Sequence, residues 1–364
     1  MFRKALIVAG LLTSLNASAD VEAIYTADFA NNIDGGIKRG GALIDNFGLA
    51  FSKETSSGEF AASILYNNAT SFSEENVGES QVVSNIDNTS VVRLYEFWYR
   101  HDFNEQHHVQ LGLMDLNAYF DAIDTAGLFI NSSHGIGPDY AQSGEAGPSI
   151  FPATSMAVNY QVNLNDTTSW QFAVFDAVPG DRDDPMKNTI KFSSDEGALL
   201  ATQVDVQTES LRYAAGMWYY TEPTDYLDGT DTAKNHGFYG LVEKVASEQE
   251  NSFAWWLRTG QAQNDINAVE NYVGAGLTLN NFNPDHPDDV VGVAVASAIA
   301  SDSFKRIEGG SSNETVIELT YSRQVTPWLR LQPDMQYVIN PGISNELDDA
   351  LVFILRAELD LMAF

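Results

Sequence analysis

The chain has 364 residues, no cysteine, and 50 acidic against 19 basic side chains, a formal net charge of −31. That balance excludes nucleic acid as a partner, since phosphate backbones are bound by clustered Lys and Arg. Hydrophobic residues still make up 44% of the chain, so it is no acidic disordered tail, and whatever it folds into is held without disulfides.

In chain order, Met1-Phe2-Arg3-Lys4 is followed by an uncharged, mainly apolar run from Ala5 to Leu15 and by Asn16-Ala17-Ser18-Ala19. This is the pattern of a secretory signal peptide over 1–19. Arg3 and Lys4 form its positive start, the run is too short to cross a bilayer as a helix, and Ala17 and Ala19 supply the small-residue cleavage pattern. Residues 20–364 are then expected to form one domain. No later window offers the ~20 consecutive apolar residues of a membrane helix, which leaves an exported soluble protein or a β-barrel.

Alternating or aromatic-rich segments recur at 21–27, 44–52, 59–66, 91–103, 108–117, 153–164, 168–177, 200–208, 211–221, 236–245, 252–261, 272–279, 290–300, 315–324, 328–339 and 350–362. Runs rich in Asn, Asp, Gly and Ser separate them. The pattern predicts an all-β fold, a transmembrane antiparallel β-barrel of about sixteen strands. Aromatic groups such as Trp98-Tyr99, Trp218-Tyr219-Tyr220 and Trp255-Trp256 are read as girdles at the two membrane interfaces.

The stretch 118–151 interrupts the alternation. It holds Phe129-Ile130-Asn131-Ser132-Ser133-His134-Gly135 and a Gly/Pro-rich run up to Pro152, and is expected to be a long loop with one helical turn, folded into the lumen.

The clearest strand is Trp328 to Pro341. Leu329, Leu331, Pro333, Met335, Tyr337 and Ile339 occupy one face, and Arg330, Gln332, Asp334, Gln336 and Asn340 the other, with Val338 as the exception. Its length, roughly ten residues, suits a tilted membrane strand. The polar row reads as the wall of a wet lumen. The last strand alternates up to the terminal Phe364, which resembles the closing aromatic that outer-membrane barrels present to the barrel-assembly machinery.

Sugars are recognised by carboxylates, amides and guanidinium groups that bond vicinal hydroxyls, with aromatic faces against the C–H surfaces. The candidates are Glu96 and Arg100, four apart on one face, and Asp115 and Asn117 on one face of the next strand. Arg258, Arg330, Asp334 and Gln336 extend the set, with Asn131 and His134 from the loop. No Gly-x-Ser-x-Gly, His-Glu-x-x-His or phosphate-binding glycine loop occurs, so no catalytic residue is expected. His107-His108 and Asp285-His286-Pro287-Asp288-Asp289 are read as solvated turns. No cofactor or metal is expected, and Asp181-Arg182-Asp183-Asp184 is where calcium would be sought first.

Several blocks, in order, resemble the carbohydrate-selective porins of the OprB type. They are 94–99 (Leu-Tyr-Glu-Phe-Trp-Tyr), 111–117 (Leu-Gly-Leu-Met-Asp-Leu-Asn), 129–133 with Gly137-Pro138, 175–181, 237–240, 257–260, 274–277, 288–294 and 331–342. The resemblance implies a sixteen-stranded outer-membrane barrel, monomeric or trimeric, that lets monosaccharides or other small sugars diffuse into the periplasm. Its partners would be sugars, ions and outer-membrane lipid. The chain departs from the pattern where such porins carry a basic residue in a Gly-rich turn, having instead Phe282-Asn283-Pro284-Asp285-His286-Pro287. The competing readings are a cation-preferring pore without a sugar site, a secreted glycan-binding β-protein and an outer-membrane lipase.

Overall fold

The computed structural model describes residues 19–181, 184–193, 195–247 and 250–363. Its strands, in order, are β1 (Asp20–Asp34), β2 (Gly40–Thr55), β3 (Gly58–Asn68), β4 (Val91–Asp102), β5 (His107–Met114), β6 (Ser155–Asn163), β7 (Thr168–Asp176) and β8 (Ala198–Gln207). They continue as β9 (Arg212–Asp225), β10 (Thr232–Lys244), β11 (Ser252–Ala262), β12 (Val269–Asn280), β13 (Val290–Ala300), β14 (Asn313–Thr326), β15 (Leu329–Ile339) and β16 (Ala350–Asp360). Each pairs antiparallel with its sequence neighbours, and β16 closes on β1, so the sheet is a closed barrel. Closure removes the sheet edges, which is how strand backbones satisfy every N–H and C=O inside a bilayer.

The period of two puts alternate residues on opposite walls. Phe29, Ile64, Phe97, Met217, Phe238 and Met335 are exposed on the outside. Asp28, Gln203, Glu243, Glu318, Asp334 and Gln336 point inward and are buried. On β15 the split is the one read from sequence, with Met335 and Tyr337 outward and Gln332, Asp334 and Gln336 inward. An apolar exterior around a polar interior is the inverse of a soluble sandwich, and it removes the secreted glycan-binding reading.

Both described chain ends and the short turns at 56–57 and 327–328 lie at one rim, while the long connections 69–90, 115–154 and 177–197 lie at the other. Short turns mark the periplasmic rim of such barrels and long loops the outer one. The proposed signal segment, apart from Ala19, and the terminal Phe364 lie outside the described residues.

Three expectations need correction. The strand expected over 108–117 stops at Met114, because the Asp115 side chain accepts the Asn117 amide at 2.8 Å and caps a 3₁₀ turn, Leu116–Ala118. Asp115 and Asn117 therefore do not share a strand face. Trp98, Trp218, Tyr220 and Trp256 are not girdle residues. They point inward and pack under the loop, since alternation sends neighbours in an aromatic run to opposite walls. Finally, the segment 115–154 carries more than one helical turn: Leu116–Ala118, Asp124–Leu128, Ser132–His134 and α1 (Pro138–Ala141).

Candidate functional site

The segment between β5 and β6 is tied to the barrel wall over half its circumference. Gln203 Oε1 on β8 and the Tyr239 hydroxyl on β10 accept the Asp121 amide at 2.9 and 3.0 Å. Glu243 accepts the Thr125 amide at 3.0 Å, and Glu318 on β14 accepts those of Ile130 and Asn131 at 2.6 and 3.1 Å. On β15, Gln332 donates to the Leu128 carbonyl at 2.7 Å. A loop that reaches one face of strands β8 to β15 does so from inside the barrel.

The wall is shaped to receive it. Gly260, Gly274, Gly276 and Gly292 face inward beside Ala294, Ala296 and Ala298. A Cβ on Gly276 would stand 2.5 Å from Trp256 Nε1 and 3.1 Å from the Phe129 ring, and one on Gly292 would meet Leu128 at 2.7 Å. At the centre of the contact Arg258 is 1% exposed. Its Nε and Nη2 donate to the two Asp121 oxygens at 3.1 and 2.7 Å, and its Nη1 donates to Asp139. The rings of Tyr272 and Tyr239 lie 5.1 and 5.5 Å from it.

A second inserted segment, absent from the sequence reading, is the connection 69–90. Glu314 accepts the Ser80 and Gln81 amides at 2.9 and 3.0 Å, and Gln336 donates to the Val83 carbonyl at 2.7 Å. Ser84 donates to Asp28 at 2.7 Å, and the same carboxylate takes a bidentate pair from Arg356. The signal was present as inward-phase carboxylates within strands, Asp28, Glu314 and Glu318. A carboxylate in that position can take two backbone N–H groups and so anchor a loop.

The residues read from sequence fall into separate groups. Asn131 donates to Gln336 at 3.0 Å, and Gln336 donates to Asp334 at 3.0 Å, so three of them form one buried network. His134 Nε2 lies 3.3 Å from Glu318, without hydrogen-bond geometry. Arg258 sits apart, with Asp121 and Asp139. Glu96 and Asp115 meet, the Asp115 amide reaching Glu96 Oε1 at 3.4 Å, and Tyr95 donates to Asp115 at 2.6 Å. Asn117 donates to the Phe120 and Gly135 carbonyls, both at 3.2 Å. Arg100 lies toward the periplasmic rim, paired with Glu59 at 2.8 Å and Asp102 at 2.9 Å. Arg330 donates to Ser322 at 3.1 Å and stands 3.9 Å from Glu358. Of the proposed calcium cluster, Arg182 and Asp183 lie outside the described residues.

Burial sets the charge states of the inserted loops. It lowers the His134 imidazole to about 3, against the pull of Asp334, so the ring is neutral. It raises Asp121 to about 6, although Arg258 opposes the shift, and raises Asp139 as well. Glu79, 7% exposed, is pushed from an ordinary 4.5 up to about 8 by burial, more than its bond from the Val83 amide counteracts. Its folded value is thus above the unfolded one, and between pH 4.5 and 8 the native state binds the extra proton. Stability falls as pH rises through that window, and it is fully present below it. The expected result is that amide protection factors in the 69–90 segment, corrected for the intrinsic hydroxide-catalysed rate, fall over that range and that Glu79→Gln removes the fall. An unchanged slope in the variant would refute this.

A closed sixteen-stranded barrel with an apolar exterior, long loops at one rim and a loop bound inside is an outer-membrane porin. The family model described as "Carbohydrate-selective porin, OprB family" matches residues 53–361. The chain belongs to that family, and its place is the bacterial outer membrane. It is 21% identical to Porin B of Pseudomonas aeruginosa over 93% of this chain and 86% of that protein. Among solved structures it is similar to the high-pH structure of Pseudomonas putida OprB, with a TM-score of 0.82, 17% identity, and 94% of each chain covered. It is also similar to the outer membrane channel DcaP of Acinetobacter baumannii, with a TM-score of 0.60, 12% identity, and 97% and 100% covered. Family and fold are those of channels.

Proposed function

We propose that this porin passes small neutral saccharides, monosaccharides or similar, by passive diffusion into the periplasm along the side of the lumen that the loops leave open. One observation carries the reading. The inward groups of β8 to β14 are largely covered by the loop, whereas on β3, β4, β15 and β16 inward charged groups reach solvent. Arg100 and Glu59 keep 31% and 21% of their side chains exposed, and Arg330 and Glu358 keep 18% and 37%. Glu96, Asp115 and Asn117 are half-buried on the same side.

Paired guanidinium and carboxylate groups offer donors and acceptors together, which suits vicinal hydroxyls. A net charge of −31 repels anions and leaves neutral solutes unaffected. In this reading Glu96, Arg100, Asp115, Asn117 and Arg330 line the path. Arg258 and the Gln336–Asp334 pair act through the loop they hold, to which Asn131 and His134 belong. The family description, a carbohydrate-selective porin, supports a sugar as the permeant.

The test is single-channel conductance of refolded protein in planar bilayers with neutral sugars added. Open steps reduced by small saccharides support the reading. Steps without block would leave the cation-preferring pore that the charge also favours. Glu96→Gln combined with Arg100→Gln is expected to weaken sugar block about fivefold, ~1 kcal/mol for groups in a wet lumen. Block equal to wild type would remove these two residues from the path.

A further inference from the structure

The outer rim holds a cavity that the sugar path does not use. It has a volume of about 320 Å³, lies among the connections 69–90, 115–154 and 177–197, and is lined by Asn88, Arg93, Ala146, Phe151 and Asp181 among others. That volume is at the lower end of small-molecule sites, about 300–1,000 Å³.

Arg93 sets its chemistry. It faces inward from β4, opposite Leu65, and is 6% exposed. Its guanidinium donates to the Pro185 carbonyl, and its Nε has no partner. Among the described residues it forms no ion pair, whereas the inward arginines Arg212, Arg258 and Arg356 each hold a carboxylate. A buried guanidinium without a counter-ion is costly, and an anion that enters the cavity removes the cost. The nearby Asp181 does not supply that charge, being bonded to Lys187 at 2.5 Å. Phe151, edge-on to Tyr95 at 6.4 Å, adds an aromatic surface of the kind that packs on sugar C–H faces.

We propose that this cavity docks a sugar acid, a small polyhydroxy carboxylate, with Arg93 taking the carboxylate in its planar fork and Phe151 flanking the C–H face of its carbon chain. In a chain of net charge −31 an unpaired cation lining the cavity is what gives such a solute a favourable contact. None of the residues assigned to the neutral-sugar path lines the cavity, so the two readings fail separately.

The experiment uses refolded full barrel, with gluconate, glucose and acetate titrated by calorimetry and added to the outer side of planar bilayers. Gluconate is expected to bind, and acetate at least tenfold more weakly. Arg93→Gln should lower gluconate affinity about tenfold while unit conductance and glucose block stay unchanged. Ala146→Phe, which fills the cavity without removing the charge, should have the same effect and decides the matter if Arg93→Gln does not fold. Wild-type gluconate binding in a folded variant overturns the proposal, and so does acetate binding as tightly as gluconate, which would mark a bare anion site.

Discussion

Replacing Arg258 by Ala is expected to release the 115–154 loop from the barrel wall and to raise single-channel conductance. Arg258 on β11 holds Asp121 and Asp139, which lie on two separate parts of the loop, and all three side chains are at most 1% exposed. Removing the cation leaves two buried carboxylates without a partner. Breaking a buried pair in this way costs about 3–5 kcal/mol. The loop gives way before the barrel does, because β11 stays paired with β10 from Trp255 to Ala262 and with β12 from Ser252 to Gln261. The loop carries no Lys or Arg, but Tyr119, Phe120, Phe129 and Tyr140 offer chymotrypsin sites that its burial protects. An Arg258→Ala channel with wild-type conductance and a chymotrypsin-resistant loop would refute the anchoring role.

Gly276→Leu should dislodge the same loop by steric means. The first added carbon already lies 2.5 Å from Trp256 Nε1 and 3.1 Å from Phe129, which is buried in one apolar cluster with Ile123 and against which Leu128 packs. Overpacking of this kind costs about 1–3 kcal/mol and is relieved by moving the element least tied down, here the loop turn Asp124–Leu128. Gly240 provides the control. It is on the outer wall, its added Cβ would meet only the Ala214 carbonyl oxygen at 3.9 Å, and Gly240→Ala is expected to change nothing. If Gly276→Leu folds with unaltered conductance, the loop does not press on that wall.

The two variants separate charge from shape. Arg258→Ala removes an attraction and Gly276→Leu adds a repulsion, yet both act on one loop, so their conductance changes should not add. Additive changes would mean that the loop is held at independent points.

Much of the molecule was written in its local pattern. All sixteen strands of the barrel coincide with alternating segments in the chain, and the Leu329–Ile339 strand shows which wall is wet, because side chains alternate strictly between lipid and lumen. The lack of apolar helical runs, the charge and the absence of cysteine then confined the chain to the few architectures open to an exported barrel or soluble β-protein. Only the tertiary structure decided how the lumen is filled. Asp121 and Arg258, or Gln81 and Glu314, are 137 and 233 residues apart, and no periodicity links a loop amide to a carboxylate on a distant strand. The same limit hid the roles of Trp218 and Trp256, since alternation shows that two adjacent aromatic residues face opposite ways but not which of them meets lipid. Strand pattern is a short-range property of the backbone, whereas the site is assembled by closure, which brings loops and distant strands onto one inner surface.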